Sequence, residues 1–391
     1  MKTRLAVFVF LFCLTRAAAA AEMEAASLAL PGDTSSFNRI RVAVVQNGNE
    51  VTLSANGPYR VESLPERTLL DRGFRLGEMK VSPTIQGIRF GSKDFRFPKI
   101  SILSDTGSIR VNNKTYGTGV QIFRKTPGKL LVVNEVGVES YLKGVLPSEM
   151  PRRWPKEALK AQAVASRTFA LFKALSKKNE DYMVSGDVIG QVYGGHGAEH
   201  ADTDRLVDQT RGEILIYQGQ IFPAYFHSTC AGATTHAEYN WDIAAHPVLR
   251  GVSCFFCLHS SHLRWEKEIP VSDIEKKLKN AGYRIGAITR ISPGKWDASG
   301  RPREIEVRHS KGTLRLRGND FRLAVGPDRV KSLKDLRIVR SGGSMKFSGR
   351  GWGHGVGMCQ WGAKALAEQG KTYREILEFY YPNSEIVKIR T

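Results

Sequence analysis

Beyond its N-terminus, the 391-residue sequence lacks any apolar run long enough to span a membrane, and it lacks internal repeats and low-complexity tracts. Nothing after the first two dozen residues therefore predicts a transmembrane helix. Hydrophobic residues still make up 41% of the chain, which predicts a buried core and excludes a wholly disordered protein. The length suits two domains, or one domain with a large elaboration.

The N-terminus has the pattern of a secretory signal. Lys2 and Arg4 precede a short apolar segment, Leu5 to Leu14, which is followed by a run of small residues suited to cleavage. We predict a signal peptide over residues 1–22 and a polar linker over residues 23–38. The mature protein would then be exported and soluble, either periplasmic or associated with the cell wall.

Acidic residues are few relative to basic ones. The chain has 38 aspartates and glutamates against 58 lysines and arginines, for a net charge of +20. Such a charge favours an anionic partner, which could be nucleic acid, anionic lipid or a cell-wall polymer. The predicted export argues against nucleic acid, and the sequence has no sustained basic helix or aromatic nucleic-acid signature. The alternative is that the excess charge only maintains solubility.

The order of predicted elements indicates an α+β protein. Residues 39–133 have the pattern of short strands separated by glycine-containing turns, which predicts a β-rich N-terminal part. Residues 134–391 are predicted to form a mixed, β-rich core with a cleft and a central alanine-rich helix over residues 156–175. Within this core, residues 266–345 are predicted to be an α/β insert.

Glu149 is the most informative single residue, because it lies between Pro147 and Pro151 and just before the helical segment. Proline fixes its own φ and disfavours helical geometry in the preceding residue, so we predict a stiff, non-helical position for this glutamate. A carboxyl held against a close-packed apolar helix is a candidate for a raised pKa and for general acid catalysis. The competing interpretation is an ordinary surface glutamate.

Two cations of the alanine-rich helix are predicted near this acid. Lys160 and Arg167 are seven residues apart, so they share one face of the helix. If that face borders Glu149, the two cations could orient a polar substrate or position the acid. The alternative is a solvated basic face, which fits Arg167 less well because its neighbours are small and apolar.

Four cysteines follow the predicted leader, and three of them suggest a metal site. Cys254 and Cys257 form a C-x-x-C pair, and His227 precedes Cys230 by the same spacing. His227, Cys230, Cys254 and Cys257 therefore predict a closed tetrahedral zinc site that stabilises the fold. A disulfide is the alternative in an exported protein. Other candidates for the fourth ligand are His236, His259 and His262.

The C-terminal segment from Ser348 to Ala363 alternates glycines with aromatic and polar residues. The glycines allow positive φ and a close approach of the backbone to a ligand. Trp352, His354 and Gln360 offer flat apolar faces and hydrogen-bonding groups suited to sugars, and we predict that they bind substrate. The segment is neither a dinucleotide-binding fingerprint nor a phosphate-binding loop that ends in G-K-[ST].

Three long stretches in this order resemble the SpoIID/LytB family, the stage II sporulation protein D type of bacterial cell-wall protein. The stretches are residues 134–151, 158–170 and 353–363, with weaker agreement over residues 191–194 and 226–230. The resemblance implies a lytic transglycosylase that acts on peptidoglycan glycan strands, preferably strands stripped of stem peptides. It also implies that Glu149 is the catalytic acid, that Lys160 and Arg167 lie close to it, and that Gln191 and Tyr193 contact substrate.

The chemistry of such an enzyme requires only one carboxyl, whereas ordinary glycosidases need two. The acid protonates the oxygen between N-acetylmuramic acid and N-acetylglucosamine. It then removes a proton from the muramyl 6-hydroxyl, which closes onto C1 and leaves a 1,6-anhydro end. Some relatives carry zinc held by histidine and cysteine near the cleft, which agrees with the zinc prediction.

Other functions stay open at this point. Some family members are described as enhancers of a partner amidase, so the chain could bind glycan and recruit a cell-wall amidase without cleaving anything. A zinc hydrolase would need an open metal position, which three cysteines and one histidine do not favour, and no H-E-x-x-H motif is present. No motif supports a purely adhesive wall protein.

Overall fold

The computed structural model describes residues 26–32, 38–105, 107–125, 128–187 and 190–390. The predicted signal peptide and half of the predicted linker lie outside these ranges. The described chain contains seven α-helices and several sheets, which confirms the α+β class. Among the helices in these ranges, none has the length and apolarity that a membrane span requires. The predicted domain boundaries stay predictions.

The helices are α1 (Val138–Glu149), α2 (Lys156–Ser176), α3 (Ala201–Gln209), α4 (Val271–Asn280), α5 (Gly318–Val325), α6 (Gln360–Glu368) and α7 (Tyr373–Tyr380). The longest is α2, which packs against α1, α3, α6 and α7. Its buried alanines, including Ala161 and Ala165, have too little bulk to hold neighbouring helices away. This makes α2 the centre of the core.

The described residues of the first half of the chain form fourteen strands. They are β1 (Leu28–Ala29), β2 (Arg39–Gly48), β3 (Val51–Ala55), β4 (Tyr59–Ser63), β5 (Leu69–Gly73), β6 (Leu76–Pro83), β7 (Ile88–Phe90), β8 (Lys93–Phe95), β9 (Lys99–Leu103), β10 (Ile109–Val111), β11 (Lys114–Tyr116), β12 (Gly119–Arg124), β13 (Leu130–Gly137) and β14 (Val184–Ser185). One sheet has the order β14-β2-β13-β12-β9-β4-β5 and another the order β11-β10-β3-β6-β7-β8. Buried residues of both sheets share one hydrophobic core with α1 and α2. Strand β13 leads directly into α1.

The second half contains the remaining strands. They are β15 (Glu213–Tyr217), β16 (Gln220–Ile221), β17 (Phe226–His227), β18 (Gly232–Ala233), β19 (Ser253–Cys254), β20 (Arg264–Pro270), β21 (Ile288–Trp296), β22 (Pro302–His309), β23 (Gly312–Arg317), β24 (Lys334–Ser341), β25 (Ser344–Arg350), β26 (Met358–Cys359) and β27 (Glu385–Lys388). A four-stranded sheet of order β1-β16-β15-β27 lies against α2 through β15. The short strands β17 and β26 pair in parallel, which brings the glycine-rich segment beside residues 226–227.

Residues 264–350 form two three-stranded sheets, β20-β25-β24 and β21-β22-β23, together with α4 and α5. They enclose a second hydrophobic core that includes Ile305, Phe321 and Phe347. We call this unit the insert. Its position matters for function because α5 contributes one wall of the cleft described below.

The segment around Glu149 differs from its prediction. Glu149 is the last residue of α1, and Pro147 lies inside that helix. Proline is tolerated there because the helix ends within the same turn, so few backbone hydrogen bonds are lost. The extended conformation begins one residue later, at Met150 (φ −129°, ψ 139°), which precedes Pro151. The prediction that Glu149 is non-helical is therefore wrong, although the restriction before proline appears at Met150.

Candidate active site

A cleft of about 610 Å³ lies between the core and the insert, and its size is typical of a small-molecule site. It brings together four residues predicted to bind or transform substrate. These are Glu149, Trp352, His354 and Gln360. The insert supplies the opposite wall through Arg322 and its neighbours.

The Glu149 carboxyl is held by two hydrogen bonds. The Val192 N–H donates to Oε1 at 2.7 Å, and Gln360 Nε2 donates to Oε2 at 3.3 Å. Gln360 Nε2 also lies 3.3 Å from Gln162 Oε1, and Gln162 donates to Ser166 Oγ at 2.8 Å. A chain of side-chain amides on α2 and α6 therefore fixes the position of the acid.

Burial raises the pKa of Glu149 from 4.5 to about 7, although both hydrogen bonds favour the ionised form. The residue is partly exposed, and its open side faces the cleft. A carboxyl that titrates near neutral pH can donate a proton in one step and accept one in the next. Glu149 therefore has the electrostatic character of a general acid and base.

Gln191 and Tyr193 do not line the cleft, but they flank the residue that holds the acid. Gln191 accepts a hydrogen bond from the Tyr141 hydroxyl at 2.9 Å, and the Tyr193 hydroxyl donates to Asn134 Oδ1 at 3.0 Å. Both side chains are buried. They anchor the loop so that the Val192 N–H points at the carboxyl, which makes them positioning residues in this structure.

The structure does not bring Lys160 or Arg167 to the cleft. Lys160 Nζ pairs with Glu157 Oε1 at 2.9 Å and lies 5.7 Å from the centre of the Tyr373 ring. Arg167 is fully buried and binds Glu139 through two hydrogen bonds, Nε to Oε1 at 3.0 Å and Nη2 to Oε2 at 2.8 Å. The shared helix face was inferred correctly from spacing, but it does not border the acid.

A different face of α2 borders the site, and sequence reasoning missed it. Gln162, Ser166, Phe169, Lys173 and Lys177 follow one another at intervals of three and four residues, as one helix face requires. The last three line the cleft. The available signal was the spacing of Gln162 and Ser166, two polar residues four apart in an alanine-rich segment.

The glycine-rich segment runs alongside β17 in space. Gly353 has φ 112°, and a Cβ there would lie 2.6 Å from His227 Cβ. Gly357 has φ 67°, and a Cβ there would overlap the Tyr225 carbonyl oxygen. Side chains are therefore excluded by the protein's own backbone and by a left-handed conformation. The segment thus approaches residues 225–227 closely, and Gly353 also lines the cleft.

Trp352 and His354 project from this segment into the cleft. The Trp352 ring packs edge-on against His262 at 4.6 Å and carries Lys331 Nζ 4.7 Å above its centre. His354 packs edge-on against Trp241 at 5.0 Å. Together these residues form an aromatic surface suited to the apolar face of a sugar ring.

His227 lies in the cleft wall and not with the cysteines. Its Nδ1 is 3.1 Å from the Val356 carbonyl oxygen, which can only accept, so this assignment places the proton on Nδ1. The buried Nε2 is then an acceptor, and it has no partner among the described residues. Burial lowers the pKa of His227 to about 3 and that of His354 well below its ordinary range, so both rings are neutral.

Four buried cysteine thiols form a cluster elsewhere in the core, with all sulfur atoms within 4.8 Å of one another. The cluster consists of Cys230, Cys254, Cys257 and Cys359. The prediction of His227 as fourth member is corrected to Cys359. The reason is that β26 places Cys359 at the start of α6, where its sulfur accepts the Gly362 N–H at 3.4 Å and the Cys230 N–H at 3.3 Å. Cys359 lies in the glycine-rich segment, far along the chain from the other three, so spacing rules did not detect it.

Comparison with known proteins identifies the family of the chain. A family model described as stage II sporulation protein matches residues 126–217, which include Glu149 and α2. Stage II sporulation protein D of Bacillus amyloliquefaciens is 32% identical over 272 residues, which cover 65% of this chain and 75% of that relative. The chain belongs to the stage II sporulation protein D family. The predicted family membership is thus confirmed.

Other relatives of the chain have different names. A protein named amidase enhancer from Bacillus subtilis is 28% identical and aligns with 63% of this chain and 40% of its own length. An uncharacterized protein of Brachyspira hyodysenteriae is 33% identical and aligns with 90% of this chain and 93% of its own length. A second family model, for a domain of unknown function (DUF8618), matches residues 247–357. That match contains α5, Trp352 and His354. The segments matched by the two family models therefore both contribute residues to the cleft.

Proposed function

We propose that this protein is an exported lytic transglycosylase of peptidoglycan. It would cleave the bond between N-acetylmuramic acid and N-acetylglucosamine in glycan strands without stem peptides. The observation that carries the proposal is the Glu149 carboxyl, which burial brings to a pKa of about 7 at the wall of an aromatic-lined cleft. Membership of a sporulation and cell-wall family supports the substrate class, and the net charge of +20 suits an anionic wall polymer.

The proposed reaction uses Glu149 twice. The neutral carboxyl donates its proton to the glycosidic oxygen while the bond from that oxygen to muramyl C1 breaks. The resulting carboxylate then takes the proton of the muramyl 6-hydroxyl, and O6 bonds to C1 to close the 1,6-anhydro ring. The acid regains its proton, so no water is consumed. Val192 and Gln360 hold the two carboxyl oxygens in place throughout.

Product analysis tests the reaction type. Asp328 is the other carboxyl among the described lining residues, and it lies on the wall supplied by the insert. A hydrolase would need such a second carboxylate to activate water. We expect mass spectrometry of products from stem-free glycan to show anhydro-muramyl ends, 18 mass units lighter than reducing ends. Reducing ends would contradict the proposal and make Asp328 the candidate second carboxylate.

A second function is favoured by one specific observation, the similarity to a protein named amidase enhancer. In that case the cleft would bind glycan strands and the protein would recruit or stimulate a cell-wall amidase without cleaving the strand. Purified protein that binds stem-free glycan but releases no product would support this function over the transglycosylase.

The cysteine cluster fits a structural zinc ion. Four thiolates around zinc at about 2.3 Å would lie about 3.8 Å apart, which agrees with sulfur atoms that all lie within 4.8 Å of one another. Backbone N–H groups of Cys230, Ala231 and Gly362 already point at sulfur atoms, as the outer shell of such a site would require. The zinc would stabilise the glycine-rich segment against residues 230–257 and would take no part in proton transfer.

Measuring the zinc content of two variants distinguishes between Cys359 and His227 as the fourth ligand. We expect Cys359→Ser to weaken zinc binding by at least about 100-fold and to lower the melting temperature. His227→Asn should keep one zinc per chain, because the cluster is complete without the imidazole. Elemental analysis with titration of free thiols measures both. Equal zinc loss in the two variants, or two disulfides in place of zinc, would contradict this assignment.

A further inference from the structure

Arg322 is a buried cation whose hydrogen-bonding capacity is mostly unused. It lies in α5 with only 6% of its surface exposed, and it lines the cleft. Its Nε donates to the Lys331 carbonyl at 3.2 Å. Within the described ranges, no hydrogen bond or ion pair involves its two terminal nitrogens. The guanidinium lines the cleft, and a planar fork with its terminal nitrogens unpaired suits a carboxylate ligand.

Asp328 does not supply that carboxylate. It is exposed on the same wall, and it is near enough to oppose the effect of burial, which lowers the pKa of Arg322 to about 10. No oxygen of Asp328 comes within ion-pair distance of the guanidinium in the described structure. Arg322 therefore stays charged at neutral pH and available to a ligand.

His227 provides a second unused group in the wall of the cleft that the core supplies, across from the insert. Its Nε2 is a buried acceptor without a partner among the described residues, and its ring is 4% exposed. The charge of Arg322 contributes to the lowered pKa of both His227 and His354, and all three side chains line the same cleft. The cleft is thus lined by a strong donor on the insert and by a neutral acceptor on the core.

One sugar matches this pair. N-acetylmuramic acid without a stem peptide carries a lactyl carboxylate on C3 beside an acetamido N–H on C2. A guanidinium binds a carboxylate through two parallel hydrogen bonds, more strongly and selectively than an ammonium group does. N-acetylglucosamine has the acetamido group but no carboxylate. A stem peptide converts the lactyl carboxylate into a neutral amide.

We propose that Arg322 binds the free lactyl carboxylate of N-acetylmuramic acid, and that His227 Nε2 accepts the neighbouring acetamido N–H. This inference rests on the proposed function and explains how the cleft would select stem-free strands. The lysines of the cleft are less suited to the task. Lys173 lies over the Phe169 ring and Lys177 over the Tyr182 ring, and an ammonium group lacks the planar fork.

A binding experiment on the uncleaving Glu149→Gln protein tests the subsite. The probes are a stem-free muramyl tetrasaccharide and the same molecule with its lactyl carboxylates reduced to alcohols. We expect the carboxylate form to bind roughly 10- to 100-fold more tightly, as for hydrogen bonds to a charged group. Adding Arg322→Gln should bring the two dissociation constants within about threefold of each other by weakening only the carboxylate form.

Three further variants give this experiment its controls. Arg329→Gln removes an equal charge from the insert outside the cleft, where Arg329 pairs with Asp273 at 3.0 Å, and should keep the full preference. Arg322→Lys keeps the charge but not the planar fork of donors, so this variant should keep part of the preference for the carboxylate probe. His227→Asn retains a donor for the Val356 carbonyl but removes Nε2, so it should weaken both probes alike.

The two proposals fail in different ways. Equal binding of both probes by the Glu149→Gln protein would overturn the Arg322 subsite while leaving glycan binding intact, and this comparison does not depend on the folding of any Arg322 variant. Absence of binding to either probe would overturn the subsite and the proposed function together. A preference that survives Arg322→Gln in a folded protein would assign the carboxylate to another cation.

Discussion

Replacing Glu149 by glutamine should abolish glycan cleavage while the protein still folds and binds glycan. Glutamine has the same shape, and its side-chain oxygen can still accept the Val192 N–H that Glu149 accepts at 2.7 Å. Its amide has no acidic proton to give and cannot take one back. Because one group serves as both acid and base, we expect a loss of at least about 1,000-fold in turnover. Release of anhydro-muramyl products is the measurement.

The same substitution should change stability in a pH-dependent way. The pKa of Glu149 is about 7 in the folded protein against an ordinary 4.5, so the fold favours the protonated form. Stability from this group is fully present below pH 4.5 and is lost as the pH rises through about 7. Glutamine does not titrate. The variant should therefore gain stability relative to wild type across this window, by roughly 1–3 kcal/mol at pH 8, after allowing for partial exposure to the cleft.

Urea unfolding at pH 4.5 and pH 8 measures this difference. Glu378→Gln is a matched control, since Glu378 is exposed on α7 and away from the cleft, and it should change neither turnover nor the pH dependence. Cleavage by Glu149→Gln within about tenfold of wild type would contradict the acid–base role. A stability difference that does not vary with pH would contradict the raised pKa.

Local sequence rules predicted the parts of this site that depend on local chemistry. The glycines of residues 351–357 predicted positive φ, and all four glycines in this range adopt it. The prolines beside Glu149 predicted a constrained carboxyl, and the structure places Glu149 in the wall of the cleft. Local rules did not predict the helical conformation of Glu149, because they do not show that α1 continues past Pro147 to end within the same turn. The alternation of strands and turns was enough for the α+β class.

Partners from distant parts of the chain explain what could not be predicted. Periodicity shows that Lys160 and Arg167 share a face of α2, but it does not show which element that face meets. The long-range pairing of β17 with β26 decides that Cys359 joins the cysteine cluster. Arg322 belongs to the insert and reaches the cleft only through the packing of α5. The spacing of residues along the sequence does not predict such long-range contacts.

Replacing Arg167 by methionine should destabilise the protein by roughly 3–5 kcal/mol, the usual cost of leaving a buried charge unpaired. Arg167 has no exposed surface. Besides its two bonds to Glu139, it donates to the Glu213 carbonyl at 3.0 Å and to the Val207 carbonyl at 3.3 Å. It therefore ties α2 to α1 and to the start of β15. Chemical denaturation of the variant measures the loss.

A double-mutant cycle distinguishes this role from the substrate-binding role that the sequence suggested for Arg167. Arg167→Met combined with Glu139→Leu should cost much less than the sum of the two single changes, because both charges leave together. Lys160→Met is the comparison on the same helix face. Its pair with Glu157 is partly exposed, at 21% and 32% of the two side chains, and its loss should cost less than about 1 kcal/mol. If Arg167→Met left stability unchanged but weakened glycan binding, the result would support a substrate-binding role for Arg167. The buried geometry argues for the opposite result: Arg167 acts on the substrate only by holding together the helices that carry Glu149 and Gln162.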